Sequence, residues 1–177
     1  MFYTLINLLS VIFFNRENFI IIRNAVKDDL IKVIEINRRC LPENYSYTFF
    51  EAILKDYPKS FFVAETYEGE IVGYVMCRVE RVLSKISSFR IKKSGHIISI
   101  AVIPEYRGLG IGKLLMLNAL KSLKEEYGCE ESFLEVRVSN KIAIKLYLDL
   151  GYKIVDVLKS YYIDGEDAYM MVKALWK

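Results

Sequence analysis

The sequence predicts an α+β fold with about seven strands and about four helices. Three observations predict it. Short runs rich in β-branched and aromatic residues recur along the chain and read as strands. Longer stretches carry apolar residues at i, i+3 and i+4 and read as helices. The two kinds of segment are segregated rather than strictly alternating, which separates this chain from a doubly wound α/β protein. At 177 residues the chain is long enough for one domain with a single substantial core. No internal repeat, low-complexity stretch or linker divides it.

The elements follow in order. Residues 1–14 are strongly apolar but hold Asn7 and Ser10, and they are too short to span a bilayer. They lack a basic start and a small-residue cleavage site, which argues against a secretory signal. Residues 1–18 are therefore set apart as an apolar N-terminal extension. It is either an extended start or tail, or a contact for a membrane surface or partner. A single domain is expected over residues 19–177. Residues 19–23 are a β-branched run and read as the first strand. Asp28 and Asp29 then open a helix whose inner face carries Leu30, Val33, Ile34 and Asn37; two acids suit the positive end of a helix. Pro42 marks a loop. Thr48 and Glu51 have the spacing of a capping box, which predicts a short helix to Lys55, stopped before Pro58.

Residues 61–66 and 71–82 read as two strands joined by a hairpin turn at Glu68-Gly69-Glu70. Residues 81–93 hold five basic residues and no acid, which suits either a solvated loop or a docking surface for ribosomal RNA. A strand beginning near His96 follows, then a glycine-rich turn and a helix over residues 114–127 with Gly128 as its stop. Residues 132–138 form the next strand. Ser139 is placed to cap a helix with Ile142, Ala143, Leu146, Tyr147 and Leu150 on one stripe, ended by Gly151. Residues 152–158 and 168–175 close the chain as strands.

Composition excludes some classes. The formal charge of +3 is too small to argue for nucleic acid. Cys40, Cys77 and Cys129 lie far apart with no C-x-x-C pair, which favours a reducing compartment and a cytoplasmic protein over a disulfide or zinc framework.

The strongest functional signal is Arg107-Gly108-Leu109-Gly110-Ile111-Gly112-Lys113. It lies between an apolar strand and a helix, the arrangement that offers bare N–H groups and a positive helix end to a phosphate. A Walker A loop is excluded, because Arg107 stands where its first glycine belongs and Leu114 where its Ser or Thr belongs. A dinucleotide fingerprint is excluded by Lys113 at its third glycine position. Alone, such a turn is equally a tight connection with no ligand. Glu135 is the second signal. It shares one strand face with Arg137 between apolar neighbours, and a carboxylate on a core strand carries a desolvation cost that calls for a reason. A general base is one reason; an ion pair with Arg137 or a lysine is the other. His96 is the one histidine in the chain and starts the adjacent strand.

Arg107, Gly110 and Gly112 resemble the acetyl-CoA pyrophosphate loop of the GCN5-related N-acetyltransferases (GNAT). Leu41-Pro42-Glu43-Asn44-Tyr45, together with Tyr161-Tyr162-Ile163-Asp164-Gly165-Glu166-Asp167-Ala168-Tyr169, resembles the catalytic subunits of protein N-terminal acetyltransferases, archaeal and NatA-like. The resemblance covers the chain from about residue 19 onward. It implies the GNAT fold, a three-layer α/β arrangement around a mixed central sheet. It implies an acyltransferase that moves acetyl from acetyl-CoA to the α-amine of protein N-termini by direct attack in a ternary complex, with no metal required.

The resemblance also implies roles. Ile100, Ala101 and Val102 would bond the pantetheine arm as an added strand does. Gly108, Leu109, Gly110, Ile111, Gly112 and Lys113 would hold the pyrophosphate, with charge-assisted help from Arg107. Asn140 would hold the cofactor arm, or simply start a helix. Glu135, working through water, and His96 would remove the amine proton. Tyr147 would contact the carrier and protonate the departing thiolate; without the resemblance it reads as a packing residue. Glu43 and Tyr45 would form one wall of the peptide slot, with Glu43 also affecting catalysis, and Tyr161 and Tyr162 the other wall. His96 and Glu135 could capture a stray divalent cation, but two ligands make a poor catalytic zinc site. The implied partners are the N-terminal segments of nascent or mature proteins, with a ribosome or auxiliary-subunit contact. No specific nucleic acid and no membrane span are expected. The competing readings are a ribosomal-protein, small-amine or lysine acetyltransferase on the same fold, and a non-catalytic acyl-CoA-sensing module.

Overall fold

A computed structural model describes residues 11–15, 18–86 and 90–176. The chain divides into two compact units. One runs to Arg78 and resumes at Ile98–Ser122; the other comprises Val79–Ile97 and Leu123–Lys177. Among the described residues there are eight strands and four α-helices.

The first unit carries β1 (Val11–Asn15), β2 (Asn18–Asn24), α1 (Leu30–Cys40), α2 (Tyr47–Asp56) and β3 (Phe61–Thr66). It also holds the first part of β4 (Ile71–Leu83), the last part of β5 (Ile91–Val102) and most of α3 (Ile111–Glu125). Its strand order is β1-β2-β3-β4-β5. The strands from β1 to β4 are antiparallel, with Ile22 opposite Ala64 and Val63 opposite Tyr74. Ile20, Leu30, Val33, Ile36, Phe50, Phe61, Tyr74, Leu115 and Met116 are buried and form the core. A Cβ at Gly73 would stand 2.9 Å from the Ala101 carbonyl oxygen, so this position on β4 requires glycine. Gly69 turns the β3–β4 hairpin at φ +85°.

The second unit carries the end of β4, the start of β5, β6 (Glu131–Arg137), α4 (Lys141–Asp149), β7 (Lys153–Leu158) and β8 (Ala168–Ala174). Its strand order is β4-β5-β6-β8-β7. β5 and β6 are parallel, with His96 opposite Phe133; β8 is antiparallel to both of its neighbours, β6 and β7. Parallel pairing requires a long connection, and α3 lies in it. The edge strand β7 exposes Ile154, Val155 and Val157. Its edge is blunted by a register shift between Ile154 and Asp156 and by the Asp156 carboxylate, which accepts from the Val157 N–H at 2.7 Å.

Several local expectations are corrected. α2 is capped by Ser46, whose hydroxyl accepts from the Phe49 N–H at 3.2 Å. Thr48 does not cap it, because Glu51, the other half of the expected box, pairs instead with Lys27 at 3.0 Å. α4 is capped by Asn140, not Ser139, through a bond from the Ala143 N–H at 3.1 Å. That one-residue shift turns Ile142 outward, 87% exposed, and brings Ile144 into the buried stripe. β5 starts at Ile91, well before the expected position, and α3 starts at Ile111. Residues 11–15 of the apolar extension pair with β2 and supply the eighth strand; residues 1–10 lie outside the described residues. Residues 81–83 and 91–93 of the basic segment are strand ends, and residues 87–89 lie outside the described residues.

Candidate acyl-transfer site

The groups expected to face a phosphate belong to the first unit. β5 ends at Val102, a short 3-10 turn follows at Pro104–Tyr106, and Gly108 and Gly110 take φ of +78° and +83°. These are left-handed conformations that a side chain would strain. The first helical bond of α3 runs from the Leu114 N–H to the Gly110 carbonyl at 3.1 Å. The N–H groups of Ile111, Gly112 and Lys113 precede it and have no helical carbonyl to meet. They lie at the positive end of a 15-residue helix. Arg107 is exposed, and its Nε donates to the Val102 carbonyl at 2.9 Å. The side chain thus ties the loop back to the strand end while its terminal nitrogens remain available for an anion. Ala101 is buried, whereas Ile100 and Val102 are half-buried on the opposite strand face. The Cys40 thiol donates to the Val102 carbonyl at 3.8 Å, against this strand end.

A buried polar chain positions the Glu43 loop in the same unit. Tyr74 and Ser99 share a hydroxyl hydrogen bond at 2.7 Å. The Asn37 amide donates to the Tyr74 hydroxyl at 3.0 Å and to the Glu43 carbonyl at 3.1 Å. This explains why an asparagine, fully buried, sits on the apolar face of α1. Burial raises the Tyr74 pKa despite those bonds, so its hydroxyl stays protonated. Glu43 and Tyr45 are half-buried, and the Tyr45 ring stacks on Phe49 with centroids 4.8 Å apart.

The residues expected to handle the proton belong to the second unit. Glu135 Oε2 lies 2.8 Å from His96 Nε2, and Glu80 Oε1 lies 3.0 Å from His96 Nδ1. The imidazole stacks on Phe133, centroids 4.4 Å apart and planes 19° apart. Side-chain exposure is 11% for Glu135, 14% for His96 and 23% for Glu80, so the group is shielded but not sealed. The alternative of a Glu135–Arg137 ion pair is not what forms. Arg137 instead donates to Asp164 and Glu166, both at 2.7 Å, and its guanidinium lies 4.0 Å over the Tyr162 ring. Glu80 was not singled out from sequence. It stands between Arg78 and Arg81 on β4, so nothing in the sequence separates it from ordinary surface charge.

Tyr147 is buried on α4 with its ring 5.9 Å from Tyr152. Burial pushes its pKa up, which keeps the hydroxyl protonated. Asn140 spends its Oδ1 on the α4 cap, so any bond it makes to a carrier comes from the amide nitrogen. Tyr161 is exposed and stands edge-on to Tyr162 at 5.1 Å. The acids that follow are anchors. Glu166 accepts from the Ser139 N–H at 3.0 Å as well as from Arg137. The bonds from Ser139 and then Arg137 hold its pKa down to about 2. Asp167 accepts from Lys159 at 2.7 Å and from the Ser160 N–H at 2.9 Å. No cluster of three metal-ligating side chains occurs among the described residues, and no helix among them is long and apolar enough to cross a membrane.

A mixed sheet, a glycine loop at a helix start and a carboxylate–histidine pair are the marks of an acyl-transferring enzyme. Residues 30–152 match the model of the acetyltransferase (GNAT) family, and the chain belongs to that family. It is 52% identical over 155 residues to an N-alpha-acetyltransferase of Sulfurisphaera tokodaii, covering 87% of this chain and 92% of that protein. It is 42% identical to the N-terminal acetyltransferase A complex catalytic subunit NAA10 of Arabidopsis thaliana, covering 87% and 77% of the two chains. Among solved structures, Naa20 of Chaetomium thermophilum in complex with a bisubstrate analogue aligns with a TM-score of 0.75 at 31% identity, covering 86% of this chain and 85% of that one.

Proposed function

We propose that this chain is an N-alpha-acetyltransferase that moves acetyl from acetyl-CoA to the free α-amine of protein N-termini. The observation that carries the reading is the 2.8 Å contact between His96 and Glu135. An α-ammonium group must lose a proton before it can attack, and the adduct a neutral amine forms must lose one afterwards; a paired carboxylate and imidazole receive it. In this reading the N–H groups from Gly108 to Lys113 and the Arg107 guanidinium hold the pyrophosphate, and the β5 backbone at Ile100–Val102 holds the arm. The amine adds to the thioester carbonyl, with N–H groups near Ala101 or Val102 stabilising the oxyanion. Tyr147 gives a proton to the leaving thiolate. Glu43 and Tyr45, with Tyr161 and Tyr162, contact the peptide. The α-amine suits this chemistry because it titrates near 8, against about 10.4 for lysine. Cys40 is not assigned an acyl-carrying role, since attack is direct.

The finer partners belong to the same reading: N-terminal segments of nascent or mature proteins, an auxiliary subunit or ribosome contacted through surface residues, and a cytoplasmic setting suited to three free thiols. The acetyltransferase domain runs over residues 19–177. The test offers acetyl-CoA with peptides whose N-termini are free or blocked, and locates acetyl by mass spectrometry. Acetyl on the α-amine of free peptides alone is expected. Equal modification of blocked peptides on lysine would point to the side-chain acetyltransferase, and acetyl-CoA binding with no thiol release would point to a sensing module.

A further inference from the structure

We propose that Glu80 is a positioning residue for His96. Its carboxylate fixes the proton on Nδ1, so that Nε2 is the ring atom that exchanges a proton with Glu135. This rests on the reading of Glu135 and His96 as the proton acceptors, and it names the group that sets which ring nitrogen works.

The inference follows from what the three side chains can donate. A neutral imidazole has one N–H and one bare nitrogen, and an ionised carboxylate only accepts. His96 has carboxylate oxygens at both nitrogens, 3.0 Å from Nδ1 and 2.8 Å from Nε2. A neutral ring therefore donates to only one of its two carboxylate neighbours, and the contact at its bare nitrogen is completed when the amine's proton arrives. Glu80 is the more open of the two, 23% exposed against 11% for Glu135. Donation from Nδ1 to Glu80 leaves Nε2 bare toward the more enclosed Glu135, the carboxylate that meets the amine in the proposed reading. The mobile proton then belongs to the Nε2–Glu135 contact. The Phe133 ring holds the imidazole plane at 19°, and Lys85 lies over that same ring at 5.5 Å, adding no donor to His96.

The proton balance is simple. The attacking amine's N–H bond breaks and an O–H bond forms on Glu135, directly or through water. That proton moves to Nε2, giving an imidazolium flanked by two carboxylates. It leaves to solvent as product departs. Glu80 touches no reacting atom and acts through the ring alone.

The test uses the fact that the chain has one histidine. Long-range nitrogen–proton spectra of the imidazole then report a single ring. The wild-type protein should show the Nδ1–H form. Glu80→Ala should lose that signature and lower kcat about tenfold or more, with KM for acetyl-CoA within about twofold. Glu80→Gln, whose amide oxygen still accepts the Nδ1–H, should restore the signature and most of the turnover. A ring pattern unchanged in Glu80→Ala would overturn the proposal. So would a changed pattern with full kcat in an enzyme that His96→Ala and Glu135→Gln both slow. If those two variants run at the wild-type rate, the catalytic reading itself has failed and the positioning role falls with it.

Discussion

In the proposed reading the first unit offers a phosphate main-chain N–H groups at the start of α3, whereas the second unit handles the proton with three side chains drawn from β4, β5 and β6. The loop depends on backbone conformation, positive φ at Gly108 and Gly110, and only secondarily on side chains. The pair depends on side-chain identity: a carboxylate 2.8 Å from a ring nitrogen cannot be replaced by an amide without losing the proton acceptor. On the proposed reading, the contrast implies that one region governs how tightly the carrier is held and the other how fast a bound carrier reacts.

The largest expected effect breaks the second region. Glu135→Gln keeps the shape and should lower kcat by roughly 10²–10⁴, with the acetyl-CoA dissociation constant nearly unchanged by calorimetry. Next, Arg107→Ala removes the tie to Val102 and a charged donor, and should weaken acetyl-CoA binding about tenfold or more. Binding of dephosphorylated pantetheine should barely change. A smaller effect sharpens the backbone claim. A Cβ at Gly108 meets nothing within 4 Å, so Gly108→Ala costs only conformational strain of about 1 kcal/mol. Acetyl-CoA affinity should fall severalfold at most.

The smallest effect concerns the loop under Arg137. Glu166 is held down to about 2 from a usual 4.5. A depressed acid contributes fully above its ordinary pKa and loses that contribution as pH falls toward the lowered value. The Ser139 amide signal should therefore hold steady above about pH 4.5 and shift as pH falls toward 2. In Glu166→Gln that shift should be lost.

Much of this was legible in the sequence, unevenly. The turn could be read because glycine at Gly108 and Gly110 is itself what permits the positive φ there. Strand and helix types followed from periodicity, which reports burial directly. The caps were misread by a residue or two, because Ser46 with Thr48, and Ser139 with Asn140, offer equivalent oxygens whose use depends on backbone angles. Glu135 and His96 were legible as a carboxylate and a histidine on adjacent strands, but their contact was not, since strand register is not written in either strand alone. Glu80 and the Asn37–Tyr74–Ser99 chain were missed for the same reason: each is a polar residue whose partner lies on another element.

The division between holding and reacting is tested most directly by titrating acetyl-CoA against turnover of a free-N-terminus peptide for Arg107→Ala and Glu135→Gln together. Saturating acetyl-CoA should bring Arg107→Ala close to the wild-type kcat and leave Glu135→Gln slow. An Arg107→Ala enzyme that stays slow at saturation, beside a Glu135→Gln enzyme that recovers, would contradict it.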